Sequence, residues 1–186
     1  LDSVLQQKGL KPMDAVGQPF DVDLHEAITQ IPAPEPDLKG KVVLLDLWSY
    51  QCTGCVLFSN TFHKKIYPAI KDNPDFAVVS IMLGESSKEL YMRRLRREGG
   101  VAYTFPEYIN LFGGRGIGSA RDMERYHDIS SFPTILLIDK QGKIYSSTLP
   151  VIYGDPRNKE LEKNRDKLTA LIKKALSEPG PQKPIL

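Results

Sequence analysis

Cysteine is scarce in this chain: two residues among 186, at positions 52 and 55. One such pair cannot staple a disulfide framework, so the fold must rest on an apolar core, and a chain of this length can bury one within a single domain. Histidine is almost as rare, and His25, His63 and His127 are scattered. A zinc centre needs about four ligands, which this set does not offer in any familiar spacing. An excess of one charge is also missing. The 25 Lys+Arg and 23 Asp+Glu leave a net charge of +2, which gives no basis for a nucleic-acid or membrane-surface partner. No apolar segment approaches the ~20 residues of a transmembrane helix, and there is no internal repeat. The chain starts at Leu1 rather than methionine, so an export signal or anchor removed upstream is the expectation.

What is present centres on one stretch, Lys41-Val42-Val43-Leu44-Leu45-Asp46-Leu47-Trp48-Ser49-Tyr50-Gln51-Cys52-Thr53-Gly54-Cys55. The run Val42 to Trp48 has the length and β-branched start of a strand buried on both faces. A short polar loop carrying Cys-x-x-Cys follows, then Phe58, Phe62, Ile66 and Ile70 at helical spacing. Strand, Cys-x-x-Cys and helix in this order form a redox arrangement. Free backbone N–H groups and the positive end of the helix dipole favour a thiolate at Cys52. Cys55 lies one turn along, close enough to close a small disulfide ring. Cys52 is therefore the candidate nucleophile, its pKa expected to fall from ~8.5 into the range ~3.5–7.5, and Cys55 the buried resolving thiol. The competing reading is a pair of inert structural thiols.

Val-Leu-Leu-Asp-Leu-Trp ahead of Cys-x-x-Cys, the lead-in Asp37-Leu38-Lys39-Gly40-Lys41-Val42-Val43, and the later unit Ser131-Phe132-Pro133-Thr134 with Ile135 to Ile138 and Asp139-Lys140-Gln141-Gly142-Lys143 resemble the thioredoxin superfamily. The branch they resemble is the extracytoplasmic TlpA/ResA-type thiol–disulfide oxidoreductases. The resemblance implies an α/β thioredoxin-like fold, with a central mixed β-sheet flanked by helices, an N-terminal extension and an inserted helix-loop segment. It also implies a periplasmic setting and disulfide exchange with protein thiols and an upstream redox partner; no cofactor and no metal are expected, and the chain is read as a monomer. In such a fold Pro133 is cis and faces the disulfide, and Asp46 lies beneath Cys55, relaying its proton. Asp46 would be costly in a buried strand without a role; the lesser, competing reading is a satisfied strand-end aspartate. Trp48, Tyr50 and Phe132 are candidates for an apolar collar for substrate, although Trp48 fits the core as well. Thr53 and Gly54 form the dipeptide that tunes the couple. They include no histidine or lysine to stabilise the thiolate further, and Gly54 stands where TlpA-like members commonly have proline.

Along the rest of the chain, residues 1–36 read as an extension packed on the domain. It holds an outer strand over Phe20 to Leu24, a helical turn through Leu24, Ala27, Ile28 and Ile31, and the connector Ile31-Pro32-Ala33-Pro34-Glu35-Pro36. The thioredoxin-like domain spans 37–176, and a disordered tail 177–186. The first helix should end near Pro68 to Asn73, with Phe76 to Met82 as the next strand. Ser86-Ser87-Lys88-Glu89 has the form of a capping box opening a helix that carries Arg93, Arg94, Arg96 and Arg97. That helix presents a solvated face, or else a docking surface for an acidic partner. Residues 99–118 read as a glycine- and aromatic-rich loop near the redox site, without a dinucleotide fingerprint, and Ser119 to Tyr126 as a helical turn. Thr134 to Ile138 and Lys143 to Leu149 should form a hairpin. Asp155-Pro156 reads as the N-cap and N1 of a last helix with Leu161, Leu168, Leu171, Ile172 and Ala175 on one side.

Two other functions fit parts of this pattern. Ser49-Tyr50-Gln51-Cys52 mimics a peroxiredoxin-like S-x-x-C motif, the mark of a peroxidase. A Sco-like copper-binding assembly factor would need two thiolates and a histidine, with His127 as the placed candidate; that family uses C-x-x-x-C, which this chain lacks.

Overall fold

The computed structural model describes residues 24–26, 37–49, 52–82, 104–113, 132–147, 149–155 and 157–181. Among the described residues six strands form one mixed sheet in the order β1-β4-β3-β2-β5-β6. They are β1 (Leu24–Glu26), β2 (Val42–Trp48), β3 (Phe76–Met82), β4 (Ile109–Gly113), β5 (Thr134–Ile138) and β6 (Ile144–Ser146). β2 is central, parallel to β3 on one side and antiparallel to β5 on the other. All seven of its residues are buried, as expected of a strand covered on both faces.

Alternation along β2 divides the core in two. Val42 and Leu44 join Phe58, Phe62, Ile66 and Ile70 together with Leu168, Ile172 and Ala175. Val43, Leu45 and Leu47 join Val79, Ile81, Leu111, Leu136 and Ile144 on the opposite side. The first set includes the buried faces of two helices, α1 (Thr53–Lys65) and α2 (Glu160–Ser177). Asp46, an even-numbered residue of β2, shares the α1 side with Val42 and Leu44.

α1 ends where Tyr67–Ala69 tightens into a 3-10 turn with Pro68 near its start, because proline cannot continue the α-helical ladder. The β5–β6 hairpin closes at Asp139–Lys143. Asp139 N–H donates to the Lys143 carbonyl at 2.9 Å, and Gly142 takes φ +78°, a left-handed conformation suited to glycine.

Five expectations are corrected. Leu24 belongs to a strand, pairing antiparallel with Gly113, so it does not open a helical turn, and β1 starts where the expected outer strand ends. Ile109 to Gly113, read as loop, is β4, parallel to β3. β6 stops at Ser146 rather than Leu149, its register shifting at Leu137/Ile138. Asp155 does not cap α2, which begins at Glu160 after Lys159. Its carboxylate is taken by Arg157, accepting from the backbone N–H at 3.0 Å and from the guanidinium at 2.6 Å, while Asn158 Oδ1 accepts from the Glu160 N–H at 3.0 Å. α2 runs to Ser177, with Glu178 as its C-cap. The fifth correction is Trp48: it is wholly buried, its indole Nε1 donating to Ser80 Oγ at 2.8 Å, so it is core and not an exposed collar. The connector at 31–36, the capping box at Ser86, the arginine-bearing helix, the turn from Ser119 and the tail from 182 lie outside the described residues.

Candidate active site

Each part of the site follows from one chain reversal at the C-terminal end of β2. The strand ends at Trp48, and Cys52 N–H donates to the Ser49 carbonyl at 3.2 Å, turning the chain into α1. Cys52 is the N-cap, in extended conformation with φ −85° and ψ 101°. Its Sγ accepts the Cys55 backbone N–H at 3.0 Å. Sulfur thus stands where helices normally place a capping oxygen. Cys52 and Cys55 are joined as a disulfide, their Cα atoms 5.3 Å apart.

The charges along α1 reinforce this. Its first turn has no acidic residue, whereas His63, Lys64 and Lys65 occupy its last turn. No carboxylate of the first turn offsets the positive helix end beside Cys52, so a thiolate formed there by reduction meets oriented N–H groups and an unopposed dipole. Cys52 is half-buried, while Cys55 is wholly buried. Access therefore differs between the two sulfurs.

Asp46 is buried and accepts from Ser59 Oγ at 3.1 Å through Oδ2. Its Oδ1 has no hydrogen-bond partner among the described residues. Burial raises its pKa from 3.8 to about 7, partly opposed by the Ser59 hydrogen bond. Ser59 lies four residues after Cys55, hence on the same face of α1, one turn on. The carboxyl therefore lies against the helix face that also carries Cys55.

The Phe132–Pro133 peptide bond is cis, and Pro133 lies against the Cys-x-x-Cys turn. A Cβ built on Gly54 would come within 3.2 Å of Pro133 Cδ. Phe132 is half-buried against the apolar cluster on the opposite face of the sheet, and Thr53 is exposed. Tyr50, Gln51 and His127 lie outside the described residues. Among the described residues no group of three His, Cys, Asp or Glu side chains could hold a metal ion.

The described part of the segment read as a loop near the redox site packs at the other end of α1. His63 stacks on Phe105 with ring centroids 3.6 Å apart, its Nδ1 lies 3.1 Å from the Tyr108 hydroxyl, and its Nε2 lies 3.3 Å from Glu107. Partial burial lowers the His63 pKa, with Glu107 opposing. Eleven helical steps separate His63 from Cys52, roughly 16 Å at 1.5 Å per step.

A family model described as thioredoxin-like matches residues 40–144, a span containing β2, the cysteines, the cis-proline and β5. The chain belongs to the thioredoxin-like family. Among solved structures it is similar to the thioredoxin domain of a thiol-disulfide oxidoreductase from Bacteroides vulgatus, at 21% identity and TM-score 0.64, covering 88% of this chain and 99% of that one. It is also similar to a protein from Chlorobium tepidum assigned as thiol:disulfide interchange protein DsbE, at 20% identity and TM-score 0.59, covering 87% and 98%. At these identities the likeness concerns the fold. Among curated proteins, 63 residues are 62% identical to Protein GrpE of Parabacteroides distasonis, covering 33% of this chain and 30% of that protein. The chain thus spans less than a third of the length of that relative.

Two residues of this thioredoxin-like site escaped the reading of the sequence. Ser59 left a faint trace, a polar residue within the apolar stripe of α1. Tyr153 left none. Its hydroxyl would stand 3.1 Å from a Cβ on Gly54, yet it comes from the loop between β6 and α2.

Proposed function

We propose that the chain is a thiol–disulfide oxidoreductase acting on protein substrates through the Cys52–Cys55 couple. The observation that carries this is Cys52 as N-cap of α1, its sulfur accepting a helix N–H at 3.0 Å beside the cis-proline. In the reducing direction the Cys52 thiolate attacks one sulfur of a substrate disulfide. A mixed disulfide forms and the other substrate sulfur leaves as a thiolate, which takes a proton from water. The Cys55 thiol loses its proton, and its sulfur displaces the remaining substrate sulfur from Cys52. Two electrons pass to the substrate, which ends as a dithiol, and the protein ends as the disulfide. A reducing thiol partner restores the dithiol, and the oxidising direction is the reverse sequence.

Asp46, with a pKa near neutrality and a place against the Cys55 face of α1, is suited to take the Cys55 proton. The cis bond between Phe132 and Pro133, with the proline ring against the Cys-x-x-Cys turn, supports a role for this backbone in pairing with an extended substrate. The resemblance to TlpA/ResA-type proteins supports an extracytoplasmic setting; no helix among the described residues is long and apolar enough to cross a membrane.

Single-cysteine variants test this reading. Reduced Cys55→Ala should accumulate mixed disulfides with insulin chains on non-reducing gels. Cys52→Ala should trap almost none and should react slowly with iodoacetamide near pH 7. A faster, lower-pKa Cys55 would reverse the assignment of nucleophile. Two thiols titrating near ~8.5, with no trapping by either variant, would overturn the oxidoreductase reading.

A further inference from the structure

The β6–α2 loop reaches the Cys-x-x-Cys turn through one side chain. A Cβ placed on Gly54 would lie 3.1 Å from the Tyr153 hydroxyl and 3.7 Å from its Cζ, as well as 3.2 Å from Pro133 Cδ. The phenol end, the cis-proline ring and the dipeptide between the cysteines therefore converge on one point. The 3.1 and 3.2 Å distances are tighter than an ordinary van der Waals contact, so a Cβ at position 54 requires the tyrosine or the proline to give by a few tenths of an ångström. Gly54 has an unexceptional backbone here: it is not among the glycines with positive φ. What it supplies is room.

Tyr153 is held in place from behind. Ile152, its neighbour, is wholly buried, and the Tyr153 ring packs partly buried against the same core cluster. Two side chains of α2 grip the preceding carbonyls: Asn164 Nδ2 donates to the Val151 carbonyl at 2.8 Å, and Arg165 Nε donates to the Ile152 carbonyl at 3.1 Å. Gly154 follows at φ +146°, and its own missing Cβ would lie 3.5 Å from Leu161. A loop fixed at two consecutive carbonyls and seated on the core presents its phenol with little freedom to lose when a ligand binds. Val151, more than half exposed in the same loop, adds an apolar contact at its rim.

Resting on the oxidoreductase reading above, we propose that Tyr153 is a substrate-positioning residue: its hydroxyl donates a hydrogen bond to a backbone carbonyl of the polypeptide joined to Cys52, and Gly54 is the glycine that admits it. The chemistry that matches this arrangement is an extended peptide segment lying across Pro133 with its cysteine at Cys52. A phenol offers one directional donor beside an apolar ring, the pairing that suits a peptide backbone flanked by side chains. A small disulfide reagent reaches Cys52 without presenting that carbonyl.

The test compares two oxidants of the reduced protein, insulin as the polypeptide disulfide and 5,5′-dithiobis(2-nitrobenzoate) as the small one. Tyr153→Phe keeps the ring and removes only the donor. One neutral hydrogen bond corresponds to about a 3- to 10-fold effect, so the ratio of kcat/KM for insulin to that for the small reagent should fall by that factor. The loss should lie mainly in KM. Gly54→Ala should lower the same ratio by displacing the hydroxyl, and should cost less in the Tyr153→Phe background, where there is no hydroxyl to displace. The pH profile of iodoacetamide labelling at Cys52 should coincide between wild type and Tyr153→Phe. An unchanged ratio in Tyr153→Phe would overturn the proposal, as would equal losses for both oxidants, or a labelling profile that moves with the hydroxyl. These failures are distinct from failure of the oxidoreductase reading, in which the wild-type protein itself would not reduce insulin.

Discussion

Replacing Asp46 by Asn should make the protein more stable above neutral pH, and the size of the effect follows from its burial. In the fold the carboxyl has a pKa of about 7 against 3.8 for an exposed aspartate. Below pH 3.8 it is protonated in both folded and unfolded states, and its contribution is level. Between the two values the unfolded chain has released the proton and the fold still holds it. Stability therefore falls as pH rises, by about 1.4 kcal/mol per pH unit. Above pH 7 both states are ionised and the loss levels off at about 4 kcal/mol. Asparagine is never charged, and its side-chain oxygen can still accept from Ser59 Oγ, so it should escape this loss. Urea unfolding of the disulfide form, in which neither cysteine titrates, should be followed from pH 4 to pH 8. Wild type and Asp46→Asn should nearly coincide at pH 4 and separate to about 4 kcal/mol at pH 8, with the variant more stable. Tyr108 does not interfere in this range, because burial and then the charge of Asp46 raise its pKa well above the ordinary phenol value. A constant difference across the range, or a variant less stable at pH 8, would refute the account of Asp46 as a carboxyl made neutral by desolvation.

The same substitution should act in the opposite sense on turnover. With no base against the Cys55 face of α1, the resolving step near pH 7 should slow by about 100-fold, the lower end of general-base effects, and mixed disulfides with substrate should persist in quenched samples; wild-type rates of resolution across pH 6 to 8 would remove Asp46 from the mechanism. Phe62, almost wholly buried in the core cluster that also holds Val42, Leu44, Leu168 and Ile172, and stacked on Phe58 with ring centroids 5.9 Å apart, should cost about 3–5 kcal/mol when cut to Ala, read as a lower urea midpoint; a loss under about 1 kcal/mol would mean that α1 is not anchored by this face.

How legible each part was in the sequence depended on how far its cause lay along the chain. β2 and α1 declared themselves because their burial is written in neighbouring residues: a strand covered on both faces needs no alternation, and a helix on a sheet needs an apolar residue each turn. Cys52, Cys55 and Asp46 sit on those two elements, and the place of Asp46 beneath Cys55 was expected from the family resemblance alone. β4 was misread for a local reason. Asn110, in mid-strand, donates its side-chain amide at 2.9 Å to the carbonyls of Phe105 and Tyr108, satisfying the turn that precedes it. A residue serving its own turn looks like loop in sequence. Asp155 misled in the same way, since the carboxylate that reads as a helix cap is drawn to Arg157.

Gly54 shows the limit of such reading. Next to a reactive pair, a glycine reads as a loosened loop, with consequences only for the couple's potential. In the fold the missing side chain is filled space. The Tyr153 hydroxyl and the Pro133 ring stand 3.1 and 3.2 Å from where a Cβ would be, one arriving from the β6–α2 loop and the other from the start of β5. A residue chosen to leave room can be explained only by what enters the room, and here both occupants come from distant stretches of the chain. The Cys-x-x-Cys dipeptide in this protein therefore acts as a seat for a tyrosine as well as a spacer between sulfurs. The Gly54→Ala and Tyr153→Phe cycle measures the coupling between positions 54 and 153 directly.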